Sequence, residues 1–162
     1  MLVWLLAISL IVCFGGVLLF GAPYLPTLKP QQASALDLLE LKKGQRLIEL
    51  GSGDGRMLRA AAKRGITVTG YELNPLLVLI SYLVTFKYRK QVSVRWGNLW
   101  TKEWPQTDAI YVFLLDKYME RLDKKVIQQY PGKRVKLVSY AFKIPAKKPI
   151  KTKNALFLYQ YK

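Results

Sequence analysis

The sequence predicts an α/β fold: a mostly parallel, doubly wound sheet preceded by a transmembrane helix. Three observations carry the prediction. Short apolar runs alternate with longer runs of helical spacing from Gln45 onward. Glycines at 51, 53 and 55 stand at the first strand-to-helix turn, where such a sheet opens its ligand crevice. From Leu2 to Leu28 no side chain carries a charge.

The uncharged run "LVWLLAISLIVCFGGVLLFGA" is long enough to cross a hydrocarbon core of about 30 Å as a helix rising about 1.5 Å per residue. Pro23 and Pro26 end it. A cleaved signal peptide is the main rival. It would begin with a cation and carry a core of about 7–15 residues, whereas no Lys or Arg precedes Lys29. A buried core helix is weaker again, the run being apolar on every side. The expected division is an anchor over residues 1–22, a connector and pre-core helix over 23–45, and a ligand-binding domain over 46–162. The flank bearing Lys29, Lys42, Lys43 and Arg46 predicts a single-pass membrane protein with that domain in the cytoplasm.

The connector "GAPYLPTLKPQ" reads as irregular chain. "QASALDLLELKKG" has helical spacing at Leu36, Leu39 and Leu41, with a glycine stop. "QRLIEL" reads as a strand entering the glycine loop, and "GRMLRAAAKRG" as a helix ending at Gly65. "ITVTGYEL" is the next strand. In "NPLLVLISYLVTFKYRK", Asn74 suits an N-cap and Pro75 the first helical position. "QVSVRW" alternates as a strand should. "TDAIYVFLL" is nearly all apolar, as expected of a strand covered on both faces. "DKYMERLDKKVIQQY" is an amphipathic helix, and "RVKLVSYAF" and "NALFLYQYK" are two further strands. Six strands are countable in this way.

Charge bounds the partners. All 26 Lys and Arg follow the apolar run, against 10 Asp and Glu, for a net charge of +16. No acid occurs from Lys133 to Lys162. The favoured reading is a basic face held near an anionic lipid surface. Nucleic-acid binding is the alternative, without a helix-turn-helix, zinc or RNA-binding signature to support it. The chain has no histidine and one cysteine, Cys13. Ser-His-Asp and Cys-His catalysis are excluded, and no Cys/His metal site is expected.

The glycine loop discriminates among three templates. A phosphate-binding P-loop needs Lys then Ser or Thr after its last glycine, but Arg56 and Met57 follow Gly55. The dinucleotide fingerprint spaces its glycines G-x-G-x-x-G, and here the third glycine comes one place early. In Gly51-Ser52-Gly53-Asp54-Gly55 an acid, Glu49, also stands two places before the first glycine. That pattern resembles motif I of the class I S-adenosyl-L-methionine-dependent methyltransferases, E/D-x-G-x-G-x-G.

The resemblance implies a Rossmann-like fold, S-adenosyl-L-methionine as cofactor, and a site around this loop. Glycines admit close approach of backbone to ligand, and in the family the leading acid, here Glu49, helps organise the site. Glu72, in "GYELNP" with Leu73 beside it, stands about 20 residues after the loop, where a carboxylate accepts ribose hydroxyls. In "WGNLW", Asn98 and Leu99 occupy the place where the family carries an acid next to adenine. An amide can still pair with that base, and a simple turn is the competing reading. A full family member has seven strands, so the sheet is expected to be one short.

The chain is similar, more narrowly, to the small membrane-anchored protein lysine methyltransferases of the ATP synthase c subunit and the adenine nucleotide translocase. The matching features are the apolar N-terminus, Leu25-Pro26-Thr27, "ELGSGDGR", "GYELNP" and "GNLW". The Asn/Asp-Pro-Pro-aromatic motif of nucleobase methyltransferases is absent, the segment being "FLLDKYM". The likeness implies a protein substrate methylated on lysine, with an RNA or lipid methyltransferase, or a non-catalytic cofactor-binding membrane module, as alternatives. It places Thr27 against cofactor or substrate; a linker threonine is the equal alternative. Phe113, Leu114 and Leu115 are candidate pocket walls. Asp116 and Tyr118 are the weak catalytic candidates, Asp116 having an N-cap as its competing role. Tyr140 and Phe142 border the pocket or pack the core.

Overall fold

The computed structural model describes residues 25–145 and 147–162, with Met1 and Trp4. Seven strands make one sheet: β1 (Arg46–Leu50), β2 (Thr67–Glu72), β3 (Val92–Trp96), β4 (Ala109–Val112), β5 (Val135–Tyr140), β6 (Lys151–Lys153) and β7 (Leu156–Tyr161). Their order is β3-β2-β1-β4-β5-β7-β6. The first five run parallel, and β7 is antiparallel to both its neighbours. The order reverses between β1 and β4. The loops leaving their C-terminal ends therefore diverge and open a crevice.

Four helices accompany the sheet: α1 (Lys29–Leu39), α2 (Arg56–Lys63), α3 (Pro75–Thr85) and α4 (Met119–Gln129). The two-residue period of the strands sorts their side chains. Leu47, Ala109, Tyr111 and Val138 meet α1 and α2 on one face, against Leu36, Leu39, Met57 and Leu58. Ile48, Leu50, Ile110 and Val112 meet α4 on the other, through Met119, Leu122 and Val126. That second face carries no helix between β3 and β4. The intervening loop covers it instead, with Trp104 donating from Nε1 to Leu99 O at 3.1 Å and Tyr130 of α4's C-cap donating to Pro105 O at 2.7 Å.

The sheet corrects three expectations. It has seven strands rather than six. The additional one, β6, is three exposed residues, Lys-Thr-Lys, with no apolar alternation to betray it. The last expected strand loses its first two residues. Asn154 and Ala155 both have positive φ, 50° and 60°, and form the tight hairpin turn joining β6 to β7. Finally, α1 stops at Leu39, where Glu40 takes the left-handed conformation and donates its N–H to Leu36 O at 3.2 Å. Gly44 serves the entry to β1 instead, donating to Gly65 O at 2.8 Å.

Apart from Met1 and Trp4, the span expected over residues 1–22 lies outside the described residues. Among the described residues no helix is long and apolar enough to cross a membrane. The expected single-pass membrane placement, and the cytoplasmic orientation that followed from it, are therefore not supported.

Candidate functional site

The glycine loop leaves β1 at the reversal point. Gly51, Gly53 and Gly55 all have positive φ, 82°, 53° and 78°. The loop is tied down by Gly51 N–H and Ser52 N–H, which both donate to Tyr71 O at 2.9 Å, and by Gly55 N–H, which donates to Ser52 O at 3.0 Å. Two glycines are demanded by close approach as well. A Cβ on Gly55 would run into Ser81 Oγ and come within 3.0 Å of Ser81 Cα, because α3 crosses directly against the loop. A Cβ on Gly70 would meet Ser52 Oγ and Leu58 Cδ1, each at 2.7 Å, because β2 passes beneath it.

Glu72 ends β2 with its side chain buried. Its Oε2 accepts from Gly53 N–H at 2.8 Å, and its Oε1 accepts from Leu73 N–H and Asn74 N–H, both at 2.8 Å. Three backbone donors thus orient one carboxylate toward the loop and leave one of its four lone-pair sites open. Asn74 then caps α3, its Oδ1 accepting from Leu76 N–H at 2.9 Å, with Pro75 in the first turn, as the sequence predicts.

Glu49 is buried under the loop, and its Oε2 has no hydrogen-bond partner among the described residues. Burial pushes its carboxyl well above the usual range, and the Asp54 and Glu72 carboxylates add to that. Asp54 itself pairs with Arg56 at 2.8 Å. Ser52 Oγ is also buried without a partner among the described residues. Three of the chain's 10 acids therefore gather at one loop of a protein whose net charge is +16.

Thr27 is brought to the same region of the sheet. It is buried, and its Oγ1 shares a 2.9 Å hydrogen bond with Tyr111 Oη of β4, while Thr27 O accepts from Gln32 Nε2 at 2.6 Å. The segment before α1 is thereby pinned across the sheet beside Glu49, which lies in register with Tyr111. Burial raises the Tyr111 phenol well above its ordinary value, so it stays protonated. Sequence reasoning misses Tyr111, which reads as one more apolar position of a covered strand. The tyrosine hydroxyl is the one polar handle in that run and the available signal.

The remaining candidates divide. Asn98 Oδ1 accepts from Trp100 N–H at 2.9 Å, building the turn after β3 and leaving the amide nitrogen as a donor. Leu99 is half-buried against the α4 face. Phe113 and Tyr140, at the ends of β4 and β5, form an edge-to-face pair with centroids 4.7 Å apart. Leu114 and Phe142 pack the core. Asp116 is exposed and opens a 3₁₀ turn without making a side-chain cap, so the N-cap role expected for it is not found. Tyr118 is half-buried with its ring 5.8 Å from Trp100.

A sheet of this order, with a glycine loop after β1 and an acid at the end of β2, is a Rossmann-like methyltransferase fold. A model of the ANTKMT methyltransferase domain matches residues 49–151, and the chain belongs to that family. It is 34% identical to the human lysine N-methyltransferase of the ATP synthase c subunit over 106 residues, covering 64% of this chain and 45% of that protein. It is 33% identical to mouse adenine nucleotide translocase lysine N-methyltransferase over 132 residues, covering 79% of this chain and 56% of the relative. The chain thus spans about half the length of the curated relatives it matches. Among solved structures, an RNA methyltransferase from Salinibacter ruber in complex with S-adenosyl-L-homocysteine superposes with a TM-score of 0.76 at 25% identity, covering 85% of this chain and 92% of the other. A methyltransferase from Thiobacillus denitrificans shares the fold, with a TM-score of 0.59 at 21% identity over 76% of this chain and 54% of the other.

Proposed function

We propose that this protein is an S-adenosyl-L-methionine-dependent methyltransferase that modifies a lysine amine of a membrane or membrane-associated protein. One observation supports the reading most: the gathering of Glu49, Asp54 and Glu72 at the glycine loop of an otherwise strongly basic chain. A phosphate ligand would be repelled there. A ligand with a cationic end and vicinal hydroxyls suits it, and two buried oxygens at the loop without partners among the described residues, Glu49 Oε2 and Ser52 Oγ, are the kind of atoms such a ligand satisfies. When bound, the cofactor supplies an electrophilic methyl on a sulfonium.

The chain's residues then take the following roles. Glu72, already oriented by three N–H groups, accepts a ribose hydroxyl at its open lone-pair site, with Leu73 beside it. Asp54 supplies negative field for the amino acid end, a cationic ligand arriving there draws Glu49 toward its charged form against the burial that raises its pKa, and the backbone of Gly51, Ser52, Gly53 and Gly55 lets it approach. Asn98 and Leu99 flank the base. Thr27, clamped to Tyr111, closes the site from the N-terminal side. Phe113 and Tyr140 form an apolar wall on which an incoming lysine loses its proton more readily. Positioning of that amine in line with the methyl can supply about 7–11 kcal/mol, so no general base is assigned. The choice of a lysine in a protein substrate is supported by the likeness to the human ATP synthase c-subunit and mouse adenine nucleotide translocase lysine N-methyltransferases.

The Salinibacter ruber likeness favours a second reading, transfer to RNA. Incubation of the purified chain with tritiated S-adenosyl-L-methionine and membranes from cells lacking it separates the two. A labelled, protease-sensitive band that disappears with Gly53→Arg supports protein methylation, and mass analysis then identifies the lysine. Label confined to nuclease-sensitive material selects RNA. No transfer in any fraction overturns the enzymatic reading.

A further inference from the structure

Helix α3 is built the wrong way round for a helix of a water-facing domain. Its inner face, against the glycine loop and the sheet, presents Leu77, Ser81 and Thr85, all buried. Its outer face is apolar. Leu79 is 54% exposed, Leu83 64% and Phe86 49%, at the i, i+4, i+7 spacing of one stripe, with Tyr82 at 51% beside them. Tyr82 and Phe86 stack edge to face at 6.0 Å. A contiguous stripe of this kind marks a contact surface.

The charge around it says what the contact is. No acidic residue occurs between Leu73 and Lys102. Lys87, Arg89 and Lys90 follow the stripe directly, Arg89 with its guanidinium 5.0 Å from the Phe86 ring centroid. None of the three enters an ion pair among the described residues. At the other end of the same sheet edge, Trp96 is 66% exposed and donates from Nε1 to Leu73 O at 3.0 Å, beside Glu72. An apolar stripe with aromatic residues and a cationic end, on a segment that carries no acid from 73 to 102, is complementary to a bilayer interface of anionic lipid.

We infer that the outer face of α3 is a peripheral docking surface for anionic membranes, with Leu79, Leu83 and Phe86 entering the headgroup boundary and Lys87, Arg89 and Lys90 meeting lipid phosphates. The inference uses only residues 73–102 and is independent of the methyl-transfer reading.

The test is positional, so that other apolar parts of the chain do not confuse it. In the full-length chain with Cys13→Ser, an environment-sensitive nitrobenzoxadiazole label is placed through Leu83→Cys, and in a parallel chain through Ile127→Cys on the outer side of α4. Each is mixed with vesicles of phosphatidylcholine plus phosphatidylglycerol, and with phosphatidylcholine alone. The expected result is a blue shift, with quenching by doxyl-labelled lipid, at position 83 only and with anionic vesicles only. Replacing Lys87, Arg89 and Lys90 by Gln should weaken that partitioning about 100-fold, at roughly fivefold per cation. No change at 83, equal change at 83 and 127, or indifference to lipid charge overturns the inference. So does a label at 83 already blue-shifted without vesicles, which would mean that protein, a second copy or another part of the chain, covers the face.

Discussion

Gly55→Ala tests how the loop is held, and the structure separates its cost into two parts. The first is conformational. Gly55 sits at φ +78°, where an L side chain costs about 1–2 kcal/mol. The second is steric. The new methyl meets Ser81 Oγ and approaches Ser81 Cα to 3.0 Å, and part of that obstacle is helix backbone, which cannot rotate away. Overpacking of this kind costs about 1–3 kcal/mol. The sum is about 2–5 kcal/mol, or a fall in Tm of about 4–20 °C at about 2–4 °C per kcal/mol for a chain of this size. Gly51→Ala is the control, since Gly51 has φ +82° but nothing within 4 Å of its Cβ position. It should show the conformational part alone. Ser81→Ala should be nearly neutral by itself, because Ser81 Oγ has no partner among the described residues, and should recover part of the Gly55→Ala loss in the double variant. Urea midpoints of the four variants against the parent, all ligand-free, decide the matter. Equal losses for Gly51→Ala and Gly55→Ala, or no recovery with Ser81→Ala, would refute the packing argument.

Four further outcomes are expected. Glu72→Gln should weaken S-adenosyl-L-homocysteine binding in calorimetry by about 10- to 100-fold, the loss of hydrogen bonds to a charged acceptor; unchanged affinity would remove Glu72 from the site. Glu49 has a raised carboxyl pKa in the folded chain, so its contribution is fully present below the ordinary carboxylate pKa and is lost as pH rises through the folded value. Urea midpoints of Glu49→Gln relative to the parent should therefore climb between pH 5 and pH 8, and a flat difference would contradict burial as the cause. Thr27→Val strands the buried Tyr111 hydroxyl and should cost about 1–3 kcal/mol, whereas adding Tyr111→Phe should return most of it; additive losses would mean that the pair does not interact. Ala155→Gly relieves a left-handed alanine in the β6–β7 turn and should raise stability by about 0.5–1 kcal/mol in the same assay.

Much of the site is legible in the sequence because its chemistry is local. The loop from Glu49 to Gly55, the acid at Glu72 and the Asn74-Pro75 helix start each lie within a few residues, and short windows encode backbone conformation directly. What is not legible depends on partners far along the chain. The Thr27–Tyr111 bond joins residues 84 positions apart, and neither residue's own neighbourhood points to the other. Asp116 reads as a cap from its place before a helix, yet a 3₁₀ turn intervenes and leaves it exposed. The edge strand β6 escapes because its three exposed residues bury nothing and so carry no pattern.

The same division runs through the whole molecule. Periodicity and turn residues alone determined that strands alternate with helices, that the sheet is mostly parallel, and that an acid-ringed glycine loop follows the first strand. Each is a consequence of steric limits and hydrogen bonding within a short stretch. Tertiary structure alone decided that Gly55 must face Ser81, that Glu49 lies buried without a partner for Oε2 among the described residues, and that α3 turns Ser81 and Thr85 inward and Leu79 and Leu83 outward, with Phe86 just past its end exposed beside them. A helix apolar on nearly every side has no preferred face of its own. The narrow space beside the glycine loop admits only small side chains there, and that constraint sets the helix's rotation.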